Sequence, residues 1–239
     1  MNNMLNKRFW KGTAIVSGEM LVAMAVFTAL LAGLFYLALP FVRRYEFVDV
    51  QVFNWMAKYT SEQMNGFMHF ITYFAQHSVL IPANIALILY FLFVRRHSWF
   101  SIRIAAIAIT SLLCTFSLKY IFMRDRPAAP LLFEADGYSF PSGHAFNSIT
   151  FYGLLIYISS QTIKNRFLHW LIITLLVSII FLVGFSRVYL RVHYASDVAV
   201  GFITGLAWLL VSLSILKKIE TFNKKNNVPV AETGTPPAV

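Results

Sequence analysis

Charge is scarce in this chain, and negative charge scarcest: among 239 residues, 10 are acidic and 20 basic, and charged residues make up 13% of the total. An average soluble domain carries about 25% charged residues, so an ordinary water-facing surface cannot be assembled from this sequence. Cysteine is nearly absent as well. The single Cys114 lies inside an apolar run, which excludes an internal disulfide and leaves the redox compartment unreadable. In place of charge there is hydrophobicity: 58% of residues are apolar and the mean hydropathy is +0.65. Such a chain needs lipid as part of its solvent. The net charge of +10 does not point to nucleic acid, because the Lys and Arg residues sit mostly at the ends of apolar runs, where they orient a membrane protein.

The length fits one domain, and spans of about 20 residues each would use up most of it. After a basic start at Lys7, Arg8 and Lys11, apolar runs fall at 20–42, 78–94, 100–118, 144–161, 168–185 and 194–216. The first is too long for the apolar core of a cleaved signal peptide and reads as retained. The expectation is an all-α polytopic membrane protein of about six transmembrane helices, with residues 1–218 as one membrane-embedded domain. Residues 219–239, ending in Thr-Pro-Pro-Ala-Val, hold too little apolar content to pack and read as a disordered cytoplasmic tail. With six spans both termini share a side, and the larger share of the Lys and Arg residues falls on that side. The positive-inside rule then puts the termini in the cytoplasm of a bacterial-type inner membrane and the opposite loops outside.

Between the first two runs, Val52, Trp55, Met56 and Tyr59 recur at i, i+3, i+4, i+7, and Phe67, Phe70, Ile71 and Phe74 repeat the spacing after Gly66. These read as short interfacial helices. Either they shape a path for lipid in the headgroup layer or they form a packed cap.

Three stretches on the outward side carry chemistry. In the first, Lys119 closes the third run and Arg126 follows in a loop that Pro127 stiffens, so a point charge and a planar fork converge on one anion. Its neighbours Arg124 and Asp125 read as plain loop charges. In the second, Pro141-Ser142-Gly143-His144 opens the fourth run, where unpaired backbone N–H groups and the positive end of the helix dipole favour phosphate. Ser142 can cap or donate, Gly143 lets the backbone approach an oxyanion, and His144 sits where it can give a proton to a leaving oxygen. In the third, Ser186-Arg187 precede His193 and Asp197, which are four apart. On a helix these two share a face, the carboxylate fixes the imidazole tautomer, and the other ring nitrogen is a nucleophile. Each stretch alone has a plain structural reading, as juxtamembrane charge, helix cap or ion pair. Together they describe a phosphate site in a membrane protein.

Jointly they resemble the type 2 phosphatidic acid phosphatase superfamily, whose pattern K-x6-RP, PSGH and SR-x5-H-x3-D is matched here without a missing position. The match covers about the C-terminal half. The resemblance implies a membrane lipid phosphatase with a phosphohistidine intermediate and no cofactor or metal. It implies His193 as nucleophile, Asp197 as its orienting partner and His144 as acid and then base, with Lys119, Arg126, Ser142, Gly143 and Arg187 holding the phosphate oxygens. The loop carboxylates Asp125, Glu134 and Asp136 form no metal-ligand spacing with histidines outside this set. The substrate class is a lipid phosphate or diphosphate with its tail in the bilayer: phosphatidic acid, phosphatidylglycerophosphate or an isoprenyl diphosphate. A related site in soluble vanadium haloperoxidases is disfavoured by the membrane spans. A lipid-phosphate binding or transport protein without turnover is the alternative, and the presence of His193, His144 and Asp197 weighs against it.

Overall fold

The computed structural model describes residues 18–34, 36, 45–132 and 135–225. Every element there is helical: α1 Gly18–Leu34, then α2 Tyr45–Ala57, α3 Glu62–Tyr73, α4 His77–Leu89, α5 Ser98–Phe122, α6 Gly143–Thr162, α7 Arg166–Tyr189 and α8 Ala195–Lys225. A π-helical stretch, Tyr90–Val94, continues α4.

Among the described residues, four stretches are long and apolar enough to cross a membrane: Glu62–Val94, Ser98–Phe122, Arg166–Tyr189 and Ala195–Phe222. Helix α1 is apolar but shorter, and most of 35–44, the second half of the expected first run, lies outside the described residues. Helix α6 falls short for a different reason. It carries Asn147, Ser148, Thr150 and Ser159 buried along its length, which dilutes its apolar character, yet it packs against α5, α7 and α8 and so meets protein on several sides. Its hydroxyls turn back on its own carbonyls: Ser148 donates to Ala145 O at 2.9 Å, Thr150 to Asn147 O at 3.2 Å and Ser159 to Ile156 O at 2.8 Å. The outer helix α7 shows the converse arrangement. Phe167, Leu171, Leu175 and Phe181 stay exposed on it, the pattern of a helix solvated by lipid.

Glycines set the closeness of α6 and α8. A Cβ at Gly205 would meet Phe146 O at 2.8 Å and Phe146 Cα at 3.1 Å, and one at Gly201 would meet Ser142 O at 2.8 Å. Small residues let membrane helices approach backbone to backbone. The obstacle at Gly205 is main chain, so Gly205→Ala forces α6 to move. We expect a loss of about 1–3 kcal/mol, read as a lower unfolding midpoint in detergent than the wild type. An unchanged midpoint would mean that the contact is slack.

At the end of the bundle where α5 begins and α8 ends, Arg103 is buried among Trp99, Phe100 and Tyr157, with its carbon Cζ 5.6–5.7 Å from the three ring centroids. It pairs with Glu220 at 2.5 Å and donates to Tyr157 Oη at 2.9 Å. This pairing corrects the expected boundary at residue 218. Helix α8 runs on to Lys225 because Ile219 faces the core and Glu220 has a buried cationic partner. Residues 226–239 of the expected tail lie outside the described residues.

The segment read as interfacial is helical, as α2 and α3. It is fastened to the end of the bundle where α7 finishes and α8 starts. Tyr189 Oη donates to Asn65 Oδ1 at 3.0 Å, and Met56 and Met68 pack with Val188, Tyr189 and Leu190.

Candidate active site

Antiparallel connections bring the three sequence stretches to one end of the bundle. Lys119 lies in the last turn of α5, Gly143 and His144 start α6, Arg187 lies in the last turn of α7 and Asp197 in the first turn of α8. His193 stands just before α8, on the loop from α7, so it does not share a helical face with Asp197 as the spacing suggested. The loop reaches the same result by turning back. Arg191 takes a left-handed conformation with φ +56°, and the N–H groups of Val192 and His193 both donate to Arg187 O, at 3.2 and 3.3 Å.

A cavity of about 600 Å³ opens between these elements, and Lys119, Arg126, Gly143, His144, Arg187 and His193 line it. Ser142 and Asp197 do not line it; both are fully buried behind the wall. Ser142 caps α6, accepting from Ala145 N–H at 3.5 Å, and its own N–H donates to Asp197 O at 3.0 Å. A Cβ at Gly143 would come within 3.2 Å of Thr115 Cγ2, so bare backbone forms that part of the wall.

His193 Nδ1 lies 3.5 Å from Asp197 Oδ2, long for a hydrogen bond. Ser139 closes the distance: its hydroxyl lies 3.3 Å from His193 Nδ1 and donates to Asp197 Oδ2. Tyr194 N–H donates to the same oxygen at 3.0 Å. The hydroxyl proton is thus committed to the carboxylate, which leaves the Nδ1 side as the ring's N–H and Nε2 as its lone pair. Arg126 Nη1 faces that lone pair at 3.3 Å. The rest of the Arg126 fork is held by carbonyls, Val192 O at 2.7 Å, Gly137 O at 2.8 Å and Asp136 O at 2.9 Å, so its position is set before any anion arrives. Lys119 Nζ donates to Tyr138 O. Arg187 Nη1 donates to Thr72 Oγ1 at 2.7 Å, while its buried Nε has no partner among the described residues.

Burial holds the His193 imidazole well below the usual histidine range, and the cations Arg187, Arg126 and Lys119 push it the same way; the hydrogen bond at Ser139 opposes them. A depressed value means that the ring is neutral, with Nε2 free, at any pH above it. Protonation, and with it loss of the nucleophile, comes only as pH falls below about 6.5. Nuclear magnetic resonance of ring-labelled histidine is expected to show His193 still neutral at pH 6.5, and a midpoint at or above that pH would contradict this reading.

Sequence reasoning missed a second group behind the wall. Arg124, read as a plain loop charge, donates through Nη1 to Asp197 Oδ1 at 2.6 Å and through Nη2 to Asp49 Oδ2 at 3.0 Å. Its guanidinium covers the Tyr194 ring at 4.1 Å. Asp49, buried on α2, accepts from Ser196 N–H at 2.9 Å and from Ser196 Oγ at 2.6 Å. A charged ladder therefore runs from α2 through Arg124 to the carboxylate behind His193. Of the loop carboxylates, Glu134 lies outside the described residues.

Beside the polar cavity lies a second one of about 300 Å³, lined mostly by apolar residues of α4, α5 and α6. His77, Leu112 and Asn147 line both, so the two spaces meet there.

The family profile described as PAP2 superfamily matches residues 99–220, the stretch that holds all three motifs. Phosphatidylglycerophosphatase B of Bacillus subtilis (strain 168) is 33% identical over 164 residues, 68% of this chain and 80% of that protein. An undecaprenyl-diphosphatase of Sulfolobus acidocaldarius is 27% identical over 188 residues, 74% of this chain and 84% of that one. Among solved structures, a transmembrane PAP2 type phosphatidylglycerolphosphate phosphatase from Bacillus subtilis superposes with a TM-score of 0.66 at 24% identity, over 89% of this chain and 98% of the other. Aquifex aeolicus LpxE superposes with a TM-score of 0.55 at 28% identity, over 69% and 94%.

Proposed function

This chain belongs to the PAP2 superfamily, and from that premise we propose a membrane-embedded lipid phosphatase in which His193 is the nucleophile. The observation that carries the reading is the setting of His193. Its Nε2 faces a cavity ringed by Lys119, Arg126 and Arg187, with His144 on the same wall and a carboxylate braced behind Nδ1.

In the proposed reaction Nε2 attacks phosphorus and the bond from phosphorus to the leaving oxygen breaks, with His144 giving that oxygen a proton. Asp197, directly and through Ser139, stabilises the charge that develops on the imidazole. Water then attacks the phosphohistidine, His144 takes its proton, and the bond from phosphorus to nitrogen breaks. Lys119, Arg126, Arg187 and the Gly143 backbone stabilise the charge spread over the equatorial oxygens, where most of the rate enhancement arises. Ser142 acts from behind, by fixing the start of α6. Metal independence is part of the proposal, since the chain's own cations fill the place of a Lewis acid.

The substrate is a lipid phosphate or diphosphate. The apolar cavity beside the site suits a hydrocarbon chain, and the relatives named above act on phosphatidylglycerophosphate and undecaprenyl diphosphate by their names. We further propose six spans: α1 with the residues after it, α4 with its π-helical extension, α5, α6, α7 and α8. The termini then lie in the cytoplasm of an inner membrane and the site faces outward. Helices α2 and α3 act as a cap in the headgroup layer, with Phe47, Trp55 and Tyr59 exposed toward lipid.

Phosphate release by the purified protein in detergent tests the function, across phosphatidic acid, phosphatidylglycerophosphate and an isoprenyl diphosphate, with chelator present. Release from at least one lipid is expected. Binding of these lipids without any release would favour the transport reading.

A further inference from the structure

Hydroxyl and amide side chains inside this bundle are, as a rule, satisfied by their own helix. Thr110 donates to Ala106 O, Thr115 to Ser111 O and Asn84 to Leu80 O, at 2.6–2.8 Å. Two residues on the wall of the apolar cavity break that rule. Ser111 on α5 is 2% exposed and its Oγ has no partner among the described residues. Asn147 on α6, three residues after His144, is 5% exposed, and no described group bonds its side-chain amide. Burying an amide or hydroxyl without a partner costs about 1–3 kcal/mol, so such groups in a cavity wall mark a ligand that supplies the missing bonds.

Their place says which part of a ligand. Asn147 lines both cavities, as does His77 at the start of α4, whose ring stacks on Phe116 with centroids 6.4 Å apart. Beyond this junction the polar cavity holds the cations and His193; before it lies the apolar wall fit for hydrocarbon. A lipid phosphate that fills both spaces must thread the junction with the atoms that link its phosphate to its tail. Those atoms differ between lipids. In a glycerolipid they include ester carbonyl oxygens, in an isoprenyl diphosphate a second phosphoryl group, and in a simple alkyl phosphate only methylenes. Esters and phosphoryl groups share one property, acceptor oxygens, which suit the donors that Asn147 Nδ2, Ser111 Oγ and a histidine ring N–H provide.

We propose that Asn147, with Ser111 and His77, forms a linker subsite that hydrogen-bonds acceptor oxygens lying between the reacting phosphate and the hydrocarbon, and thereby selects among lipid phosphates. This rests on the phosphatase reading. The subsite does not touch the reacting atoms, so its energy appears as discrimination. A site built to bond an oxygen rejects the analogue that lacks it, because its own polar groups are then left bare.

The experiment measures kcat/KM of the full-length protein in detergent for dodecyl phosphate, phosphatidic acid and farnesyl diphosphate, in the wild type, Asn147→Leu, Ser111→Ala and His77→Ala. In Asn147→Leu the preference for an acceptor-bearing substrate over dodecyl phosphate is expected to fall about tenfold, mostly through KM. Loss confined to phosphatidic acid identifies ester oxygens as the group bound, and loss confined to farnesyl diphosphate identifies the second phosphoryl. If Asn147→Leu does not fold, the exposed His77 and the single-atom change Ser111→Ala carry the same test and must lower the same ratio. Ratios unchanged in an active set of variants overturn the subsite and leave the phosphatase standing. A wild type that releases phosphate from none of the three overturns the phosphatase reading itself.

Discussion

Replacing His193 by alanine is expected to reduce phosphate release by at least about 10⁴-fold, to the level left by positioning alone. The size follows from the division of labour in the site. Lys119, Arg126 and Arg187 can still gather a phosphate around the cavity, so lipid binding survives, but the imidazole proposed to attack phosphorus is gone. Phosphate monoester hydrolysis is among the slowest uncatalysed reactions, so water alone does not replace the lost step. His193→Ala therefore separates binding from turnover, which retained binding with release at background level would show. Release near the wild-type rate would place the nucleophile elsewhere.

Arg124→Ala is expected to cost about 3 kcal/mol of stability, the scale for removing one partner of a buried ion pair. Arg124 itself is partly exposed, but its two carboxylate partners are not: the Asp49 and Asp197 side chains are 2% and 0% exposed. Without the guanidinium between them, both carboxylates keep their hydrogen bonds but lose the cation they share. The variant also frees Asp197 from one of its holds, and turnover is expected to fall on the order of tenfold or more, as when a supporting partner of a catalytic group is lost. Arg124→Lys should recover part of the stability and less of the rate, since a single ammonium cannot serve Asp49, Asp197 and Ser196 Oγ, which Arg124 Nη1 also reaches at 2.8 Å, with the geometry of the fork. Unfolding midpoint and kcat are read side by side. Wild-type values of both in Arg124→Ala would show that the ladder carries nothing.

The contrast between His193 and Arg124 shows where the chain could be read unaided. His193, His144, Lys119, Arg126 and Arg187 sit in stretches whose spacing and residue types state their chemistry, and the structure gathers all five around one cavity. The ladder had no such signal. Asp49 lies 75 residues before Arg124, in a segment read for its aromatic periodicity, and only folding brings the two together. Ser139 was equally silent, because a lone serine before a proline-containing cap says nothing of what its hydroxyl meets. The Nδ1 brace was expected from an i, i+4 helical pair; in the structure it depends on a left-handed loop residue and a bridging hydroxyl.

Among the helices, the apolar runs of α4, α5, α7 and α8 were plain because lipid-facing side chains must be apolar. Helix α6, counted as a span on the run at 144–161, is less apolar than the others, since a helix enclosed by protein can carry Asn147, Ser148 and Thr150. The far end of α8 was misjudged because Glu220 reads as a tail charge until Arg103 is placed beside it. The ends of helices depend on partners that are distant in sequence, and residue type alone does not name them.

Trapping the intermediate tests the central claim most directly. The purified protein, mixed with a phosphate-labelled lipid and quenched in alkali within a turnover, is expected to carry label on His193, stable in base, lost in acid and absent from His193→Ala. Full turnover with no label at residue 193, or the same label persisting in His193→Ala, would contradict the account.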